Sequence, residues 1–311
     1  VQNEKRQKDN RPYSAVGYAI TQALVPEGHP YHHDTIGSME DLDAASLDTV
    51  KDWFRENYGP NNAVLVLAGD IDIDKAKTMV NHYFGAILRG RDIVHPETPI
   101  WTLPTRKDEV ITDKVALSKI YRAWSIPSYN NPDSIPLDLS AAVLGGLASS
   151  RLDQILVHQE QLAVNVSATT QSFEGQGRFL VSVTVKAGVN PQYVSQRLDK
   201  ILAEYLEKGA TQDEVNRAAM DVLSESVAES VSAQGPILAQ GLLYAKDPDY
   251  YKKALYAVAT STAEAVQKST QKWLSRPVYA LTVLPGERQA YQESQSGKST
   301  PKTDNNLILP A

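Results

Sequence analysis

The sequence contains no cysteine and no long hydrophobic run. The absence of cysteine from its 311 residues excludes disulfides, thiolate nucleophiles and cysteine-based zinc sites. No apolar run approaches the roughly 18 residues that a membrane-spanning helix needs, so no membrane span is predicted. A formal net charge of −6 argues against nucleic acid as a partner, because phosphate binding requires a basic surface.

The remaining composition is typical of a globular protein. Hydrophobic residues make up 42% of the chain and charged residues 22%, which allows a sizeable core. The length predicts about two domains. Absence of cysteine also fits an oxidising compartment, which weakly favours a periplasmic location. The chain starts without methionine and directly with a helical pattern, which suggests a processed or truncated chain.

The first ninety residues combine helical patterns with turns. Residues 1–24 have a helical pattern that a polar stretch interrupts between Lys8 and Arg11. A histidine-rich loop follows, and Ser38 with Asp41 forms a capping box at the start of the next helix. The apolar face of that single helix is predicted to carry Leu47, Val50, Phe54 and Tyr58.

A strand and a third helix complete this part. The apolar run from Ala63 to Ala68 follows a turn sequence and predicts a strand that is buried on both faces. Ile73 to Phe84 then repeats the helical spacing. A charged, proline-containing stretch without periodicity comes next, so residues 91–107 are predicted to link two domains.

The second part combines strands with helices. Strands are predicted at 116–126 and 277–284, and a helix from Pro132 to Gly146. Two alternating strands flank a hairpin loop at 175–177. The residues predicted on one face of each strand are Leu162, Val164, Val166 and Ala168, then Phe179, Val181, Val183 and Val185.

Further helices are predicted after this hairpin. Capping boxes at Thr211 to Glu214 and at Ser261 to Glu264 indicate helix starts. A long amphipathic helix precedes them, and its buried face is predicted to contain Val194, Leu198, Ile201, Leu202 and Tyr205.

Two segments share one plan of capped helix, turn, apolar strand and glycine followed by an acidic residue. They are residues 46–70 and 261–287, and they predict two domains of similar fold that end in the same way. Because only about ninety residues precede the linker, the first domain is expected to be incomplete. The predicted division is 1–90 for the end of the first domain, 91–107 for the linker, 108–287 for the second domain and 288–311 for a polar tail or linker.

Several phrases occur in the order found in a known family. They are QNEKRQ at 2–7, HPY and IGS within 29–38, YGPNNAVLVLAGD at 58–70, SSRLDQIL at 149–156 and the strand pair that follows. Together they resemble the zinc metallopeptidases of the pitrilysin, insulinase and mitochondrial-processing-peptidase type, the M16 family. The resemblance implies an α+β fold of two similar domains, each with an antiparallel or mixed sheet and helices packed on one face.

The resemblance implies a zinc centre that this chain holds only in part. In the family, two zinc-binding histidines and a glutamate base lie in His-x-x-Glu-His, and residues 1–311 lack that motif. A second helix supplies the third ligand, a glutamate whose setting resembles Glu4 here. Catalytic zinc needs three protein ligands and a water. Zinc is therefore expected only together with an upstream segment that carries the motif, and no catalytic residue is assigned.

Three further features have a functional and a structural interpretation, and the structural one is preferred for each. His29, His32 and His33 could bind a metal, but Pro30 prevents a regular helix and the resemblance places them in a loop that shapes the fold. Arg151 could contact substrate or form structural hydrogen bonds at a helix start. The tyrosines that could line a peptide groove or pack half-buried are Tyr121, Tyr129, Tyr244, Tyr250, Tyr251 and Tyr256.

Two functional hypotheses follow from the resemblance. The first is a fragment of a zinc-dependent metalloendopeptidase that cleaves peptides or unfolded proteins, with a second M16-like half or subunit as partner and no activity in this chain alone. The alternative is a non-catalytic M16-like subunit with a structural or substrate-recruiting role. The presence of Glu4 slightly favours the peptidase, because a scaffold does not need that carboxylate. A weaker possibility is likeness of fold alone, which leaves the chemistry open.

Overall fold

One five-stranded sheet organises the second part of the chain. The structure is a computed structural model and describes residues 1–94, 99–228 and 231–288. The strands lie in the order β1–β5–β2–β4–β3, and β1 with β5 is the parallel pair in an otherwise antiparallel sheet. This mixed sheet confirms the predicted α+β class. The strand bounds are Lys107–Asp113 (β1), Lys119–Ile126 (β2), Ala163–Ser172 (β3), Gly177–Val185 (β4) and Tyr279–Pro285 (β5).

Helices lie on both sides of the linker in sequence. The first part contains α1 (Gln2–Asp9), α2 (Ala15–Leu24), α3 (Met39–Ala44), α4 (Leu47–Asn57) and α5 (Ile73–Phe84). The second contains α6 (Ser134–Ala141), α7 (Pro191–Lys208), α8 (Gln212–Ala228), α9 (Val231–Ala245), α10 (Tyr250–Ala259) and α11 (Ala263–Leu274). Wide helical turns occur at Ala142–Gly146 and Asp153–Gln159. Within the described ranges, every helix is too short or too polar to cross a lipid bilayer.

The main core lies between the sheet and the helices of the second part. The inward faces predicted for β4 and α7 are confirmed, because every residue predicted on these two faces is buried in the same core cluster. In β4 the alternation places every second side chain toward the helices, and in α7 the 3.6-residue period gives one continuous stripe. The buried residues are Phe179, Val181, Val183 and Val185 in β4, and Val194, Leu198, Ile201, Leu202 and Tyr205 in α7.

The helix α2 covers part of the opposite face of the sheet. Val16 and Ile20 of α2 share a buried cluster with Tyr121 and Ala123 of β2 and with Leu281 of β5. These β2 residues alternate with those that face the main core, as a pleated strand requires. The first part of the chain therefore packs directly on the sheet of the second part, a contact that was not predicted from the sequence.

The predicted strand from Ala63 to Ala68 is wrong. The segment is extended but has no ladder partner among the described residues, and Leu65 and Leu67 are 56% and 50% exposed. A strand forms only where a neighbouring strand satisfies its backbone hydrogen bonds, and the described sheet is built entirely from residues 107–285. The leucines instead lie beside Ala76 and Val80 of α5.

Two predicted helix starts also need correction. The single helix after Ser38 is split into α3 and α4, because Ala45 is extended and the Ser46 side chain caps α4 by accepting from the Thr49 amide at 3.1 Å. The cap of α11 is Thr262 and not Ser261, since the Thr262 hydroxyl accepts from the Ala265 amide at 3.2 Å. In both places, several neighbouring residues are competent caps and the backbone geometry selects one.

Three features of the sheet differ from the prediction. The strand β1 was missed, and the strand expected from Ala116 begins at Lys119. A bulge between Ala163 and Asn165 shifts the alternation of β3. As a result Ala163 is buried whereas Val164, predicted to face the core, is exposed.

In the predicted linker 91–107, the described residues 91–94 and 99–106 contain no helix or strand, but Lys107 is the first residue of β1. The predicted tail lies outside the described residues except for Arg288, whose guanidinium is 2.5 Å from the buried carboxylate of Asp113.

Candidate functional site

Glu4 lies in the first turn of α1, where its side chain is exposed. A carboxylate at this position is favoured by the helix dipole. Among the described residues, none forms a hydrogen bond or an ion pair with its carboxylate. The predicted metal ligand is therefore a carboxylate that projects into solvent from an ordered helix.

The helix α1 is held in place by a polar network around the buried Lys5. Lys5 is fully buried, donates to the phenol oxygen of Tyr18 at 3.0 Å and lies 3.3 Å from the carboxylate of Asp9. The Tyr18 hydroxyl in turn donates to the Asp9 carboxylate at 2.8 Å. Burial of this phenol raises the pKa of Tyr18 to about 12. Lys8 pairs with Asp34 at 2.7 Å. These contacts fix the rotation of α1, and that rotation turns Glu4 outward.

The three clustered histidines lie in turns, as the structural interpretation expects. His32 has Nδ1 2.7 Å from the Val25 carbonyl, and Nδ1 of His29 accepts from the Tyr31 amide at 3.1 Å. Burial and the neighbouring His32 lower the pKa of His29. His33 is exposed. Since Nδ1 of His33 lies 3.3 Å from the Asp34 carbonyl oxygen, all three rings form local backbone contacts.

The donor set of this chain does not fit a catalytic zinc ion. Such an ion needs three protein ligands, and no group of three His, Cys, Asp or Glu side chains in the described ranges could hold a metal. Glu4 supplies one carboxylate. No catalytic step through zinc can therefore be built from the side chains described here alone.

Arg151 forms a two-pronged ion pair with Glu214. Its Nε and Nη2 atoms each lie 2.6 Å from a carboxylate oxygen, and the guanidinium is 5.0 Å from the ring centre of Tyr205. Glu214 also accepts from the amide of Thr211 at 2.7 Å, which completes the predicted capping box of α8. Since Arg151 joins two helix starts through well-formed contacts, these contacts support its structural interpretation.

The tyrosines divide between packing and a cavity. Tyr121 of β2 is buried on the face of the sheet that α2 covers, and Tyr256 is exposed. By contrast, Tyr129, Tyr250 and Tyr251 line a cavity of about 390 Å³ between α6, α9 and α10.

The carboxylate of Asp138 on α6 also lines this cavity, and it was missed in the sequence. The available signal was that Asp138 is the one charged residue of the helix sequence SIPLDLSA, between the buried Leu137 and Leu139.

A family model described as the peptidase M16 inactive domain matches residues 44–221, more than half of the chain. The chain belongs to the M16 peptidase family. The matched range runs from the end of α3 into α8. It includes the sequences YGPNNAVLVLAGD at 58–70 and SSRLDQIL at 149–156. Glu4 lies outside the range that the family model matches.

Proteins similar to this M16 chain carry both catalytic and non-catalytic names. The zinc protease PqqE of Helicobacter pylori is 28% identical over 228 residues, which are 72% of this chain and 50% of that protein. The non-peptidase homolog YmxG of Helicobacter pylori is 27% identical over 192 residues, 61% of this chain and 43% of that protein. This chain spans about half the length of the curated relatives it matches. The names associate zinc with the family, while the described part of this chain has no complete metal site.

The fold is shared with solved M16 structures. The crystal structure of a peptidase M16 inactive domain from Pseudomonas fluorescens superposes with a TM-score of 0.81 at 21% identity, and the match covers 93% of this chain and 69% of that one. This likeness concerns the fold, because the sequence identity is low.

Proposed function

We propose that this chain is part of a zinc-dependent M16 metalloendopeptidase that cleaves peptides or unfolded proteins. In this proposal Glu4 is the third zinc ligand, and residues 108–287 form the second domain, which lines the substrate chamber. The observation that carries the proposal is the exposed Glu4 carboxylate, presented by a helix whose rotation the buried Lys5 fixes. Two histidines of a His-x-x-Glu-His segment elsewhere in the parent protein would complete the ligand set.

The apolar surface of α4 supports the accompanying proposal that the first domain continues beyond residues 1–90. One face of this helix is solvent-exposed, with Trp53 at 57%, and the extended segment 63–68 has no strand partner among the described residues. Contiguous exposed apolar patches of this kind mark surfaces that another element covers. We propose that further elements of the first domain cover this face. The exposed members of the face are Leu47, Val50, Trp53, Phe54 and Tyr58.

The partners proposed here follow from the same assignment. A second M16-like half or subunit would close around the substrate. An extended peptide could add to a sheet as an extra strand, because edge strands offer unpaired backbone groups. In the described sheet, β1 and β3 are the edges.

The test uses the parent protein with its upstream segment, in wild-type form and as Glu4→Gln. We expect the substitution to lower the bound zinc at least about tenfold and to abolish hydrolysis of a fluorogenic unfolded peptide. Glu27→Gln, which removes an exposed carboxylate in the loop after α2, is the matched control and should leave both unchanged. Zinc is measured by atomic emission and hydrolysis by fluorescence. Full zinc content and full activity in Glu4→Gln would reject Glu4 as a ligand.

A non-catalytic subunit is the second candidate. It is favoured by the description of the matching model as an inactive domain and by the relative named a non-peptidase homolog. In that case the parent protein would bind no zinc and would not hydrolyse the peptide. Glu4→Gln would then change neither the zinc content nor the rate of hydrolysis. A parent sequence in which His-x-x-Glu-His is degenerate would agree with this outcome.

A further inference from the structure

The cavity beside Asp138 is built from the second part of the chain. It is lined by residues of α6, α8, α9, α10 and the end of β3 and has a volume of about 390 Å³. Pockets that hold small ligands span roughly 300–1,000 Å³ and combine apolar walls with a few polar groups. The walls here are largely aromatic and aliphatic, and the residues used below are Tyr129, Ile135, Leu238, Tyr250 and Leu255. The cavity is therefore large enough for a side-chain-sized ligand.

Asp138 places a carboxylate in this apolar setting. The hydroxyl of Thr170 donates a hydrogen bond to it. The Asp138 side chain is exposed through the open side of the cavity. Desolvation by the protein atoms around it raises the pKa of the Asp138 carboxyl to about 6. At pH 7 it is thus mostly ionised, at a free-energy cost that a bound cation would offset.

No cation in the part of the chain that the structure describes bonds to this carboxylate. The nearby lysines of α10 have partners of their own, since Lys252 lies 2.9 Å from Asp249 and Lys253 lies 2.7 Å from Asp247. Residues 222–245, which include α9, contain no Lys, Arg or His at all. The negative charge of the cavity is therefore not neutralised by these neighbouring elements.

The tyrosine wall is held in place by contacts among the tyrosines themselves. The rings of Tyr129 and Tyr250 have their centres 5.2 Å apart, and the Tyr250 hydroxyl donates to the Tyr129 carbonyl at 3.3 Å. The rings of Tyr244 and Tyr129 have their centres 6.1 Å apart. Burial raises the pKa of both Tyr129 and Tyr250, with Asp138 adding to the shift, so both phenols are neutral at pH 7. Neutral aromatic rings beside a carboxylate are a favourable environment for an organic cation.

We propose that this cavity binds an organic cation, a primary ammonium or guanidinium group on a short aliphatic stem, through Asp138. The charged group pairs with the carboxylate, and the stem occupies the apolar space near Ile135, Leu238 and Leu255. Such a group occurs as a lysine or arginine side chain of a peptide and as a free amine. The site uses no residue of the first part of the chain and does not depend on the role of Glu4.

Calorimetric titration of the full chain at pH 7.5 tests the proposal with three probes. Nα-acetyl-lysine N-methylamide represents a peptide side chain, and n-butylamine represents the free amine with the same stem. Nα-acetyl-norleucine N-methylamide has the stem without the charge. We expect at least one cationic probe to bind at least about tenfold more tightly than the norleucine compound. Which of the two cations binds more tightly identifies the source of the ligand.

The variant Asp138→Asn removes the charge and keeps an oxygen that accepts from Thr170. We expect it to weaken binding of the cationic probe at least about tenfold. Asp213→Asn removes an equal charge from the exposed first turn of α8 and should leave the affinity unchanged. Circular dichroism establishes that each variant is folded.

The wild-type chain supplies a second measurement that needs no variant. Affinity for the cationic probe should fall as the pH is lowered through about 6, because the carboxyl of Asp138 then becomes protonated. Three outcomes would each overturn the proposal: no cationic probe binds up to about 20 mM, the norleucine compound binds equally well, or Asp138→Asn and a low pH leave the affinity unchanged.

Discussion

The phenol oxygen of Tyr31 accepts a hydrogen bond from the backbone amide of Gly175 at 2.9 Å. The Tyr31 ring also contacts the ring of Phe173, with centres 5.7 Å apart. These residues belong to the histidine-rich loop and to the β3–β4 hairpin, 144 positions apart in sequence. The loop therefore joins the first part of the chain to the sheet of the second.

Replacing Tyr31 by phenylalanine isolates the hydrogen bond, because the ring contact with Phe173 is kept. We expect Tyr31→Phe to lower the free energy of unfolding by about 0.5–1.5 kcal/mol, the usual net contribution of one such bond. Urea unfolding followed by circular dichroism gives the value. Tyr83→Phe, at an exposed position on α5, is the control and should have no measurable effect. Equal stability of the two variants would show that the hydrogen bond of Tyr31 contributes nothing to the free energy of unfolding.

The ion pair of Arg151 and Glu214 should make stability depend on acid pH. Burial alone would raise the pKa of Glu214, but hydrogen bonds from Arg151 and Thr211 outweigh it and lower the pKa to about 2. A lowered carboxyl pKa contributes stability that is complete above the ordinary value of 4.5. That contribution is lost as the pH falls from there toward about 2.

Arg151→Met tests this pH dependence. We expect a loss of about 1.5–3 kcal/mol at pH 7 and a flatter decline of stability between pH 5 and pH 2 than in the wild type. Denaturant unfolding at a series of pH values measures both. Arg55→Met removes an exposed arginine that pairs with Asp52 and should cost at most about 0.5 kcal/mol. Parallel pH profiles for wild type and Arg151→Met would contradict the assignment.

Gly145 lies against the backbone of β3, and its neighbour Gly146 does not. A Cβ atom on Gly145 would be 2.6 Å from the Ala168 nitrogen, whereas on Gly146 the nearest atom would be 3.5 Å away. We expect Gly145→Ala to destabilise the chain by about 1–3 kcal/mol, and Gly146→Ala to change stability by less than about 1 kcal/mol in either direction. Thermal unfolding of the two variants compares them directly. A similar melting temperature for both would mean that β3 can move away at little cost.

Elements with strong local periodicity could be predicted from the sequence. The helix α7 and the strand β4 have the predicted inward residues, such as Leu198 and Val181, because their periods of 3.6 and 2 depend only on backbone geometry. The helix bounds of α5 also agree with the prediction. Local sequence patterns did not predict a strand whose hydrogen-bonding partner lies far away in the sequence. The polar edge strand β1 pairs only with β5, about 170 residues later, so its own sequence contains little evidence of a strand.

The candidate sites show the same division. Glu4 was found through the QNE sequence near the N-terminus, and its exposure on α1 agrees with a role that needs further ligands. Its metal-binding role stays a prediction. The cavity at Asp138 was not found, because it requires α6, α9, α10 and β3 to meet, and no spacing along the chain encodes that meeting.

The sequence by itself determined the family, the α+β class and the inward faces of the periodic elements, since these depend on local order and on motif order. The tertiary structure decided which apolar segments pack against, or pair with, another segment of the chain. In the part of the chain that the structure describes, the apolar run at 63–68 has no strand partner, while α2 packs on the sheet of the second part. The physical reason is that backbone pairing, burial and charge pairing are relations between distant segments, and only the folded chain brings those segments together.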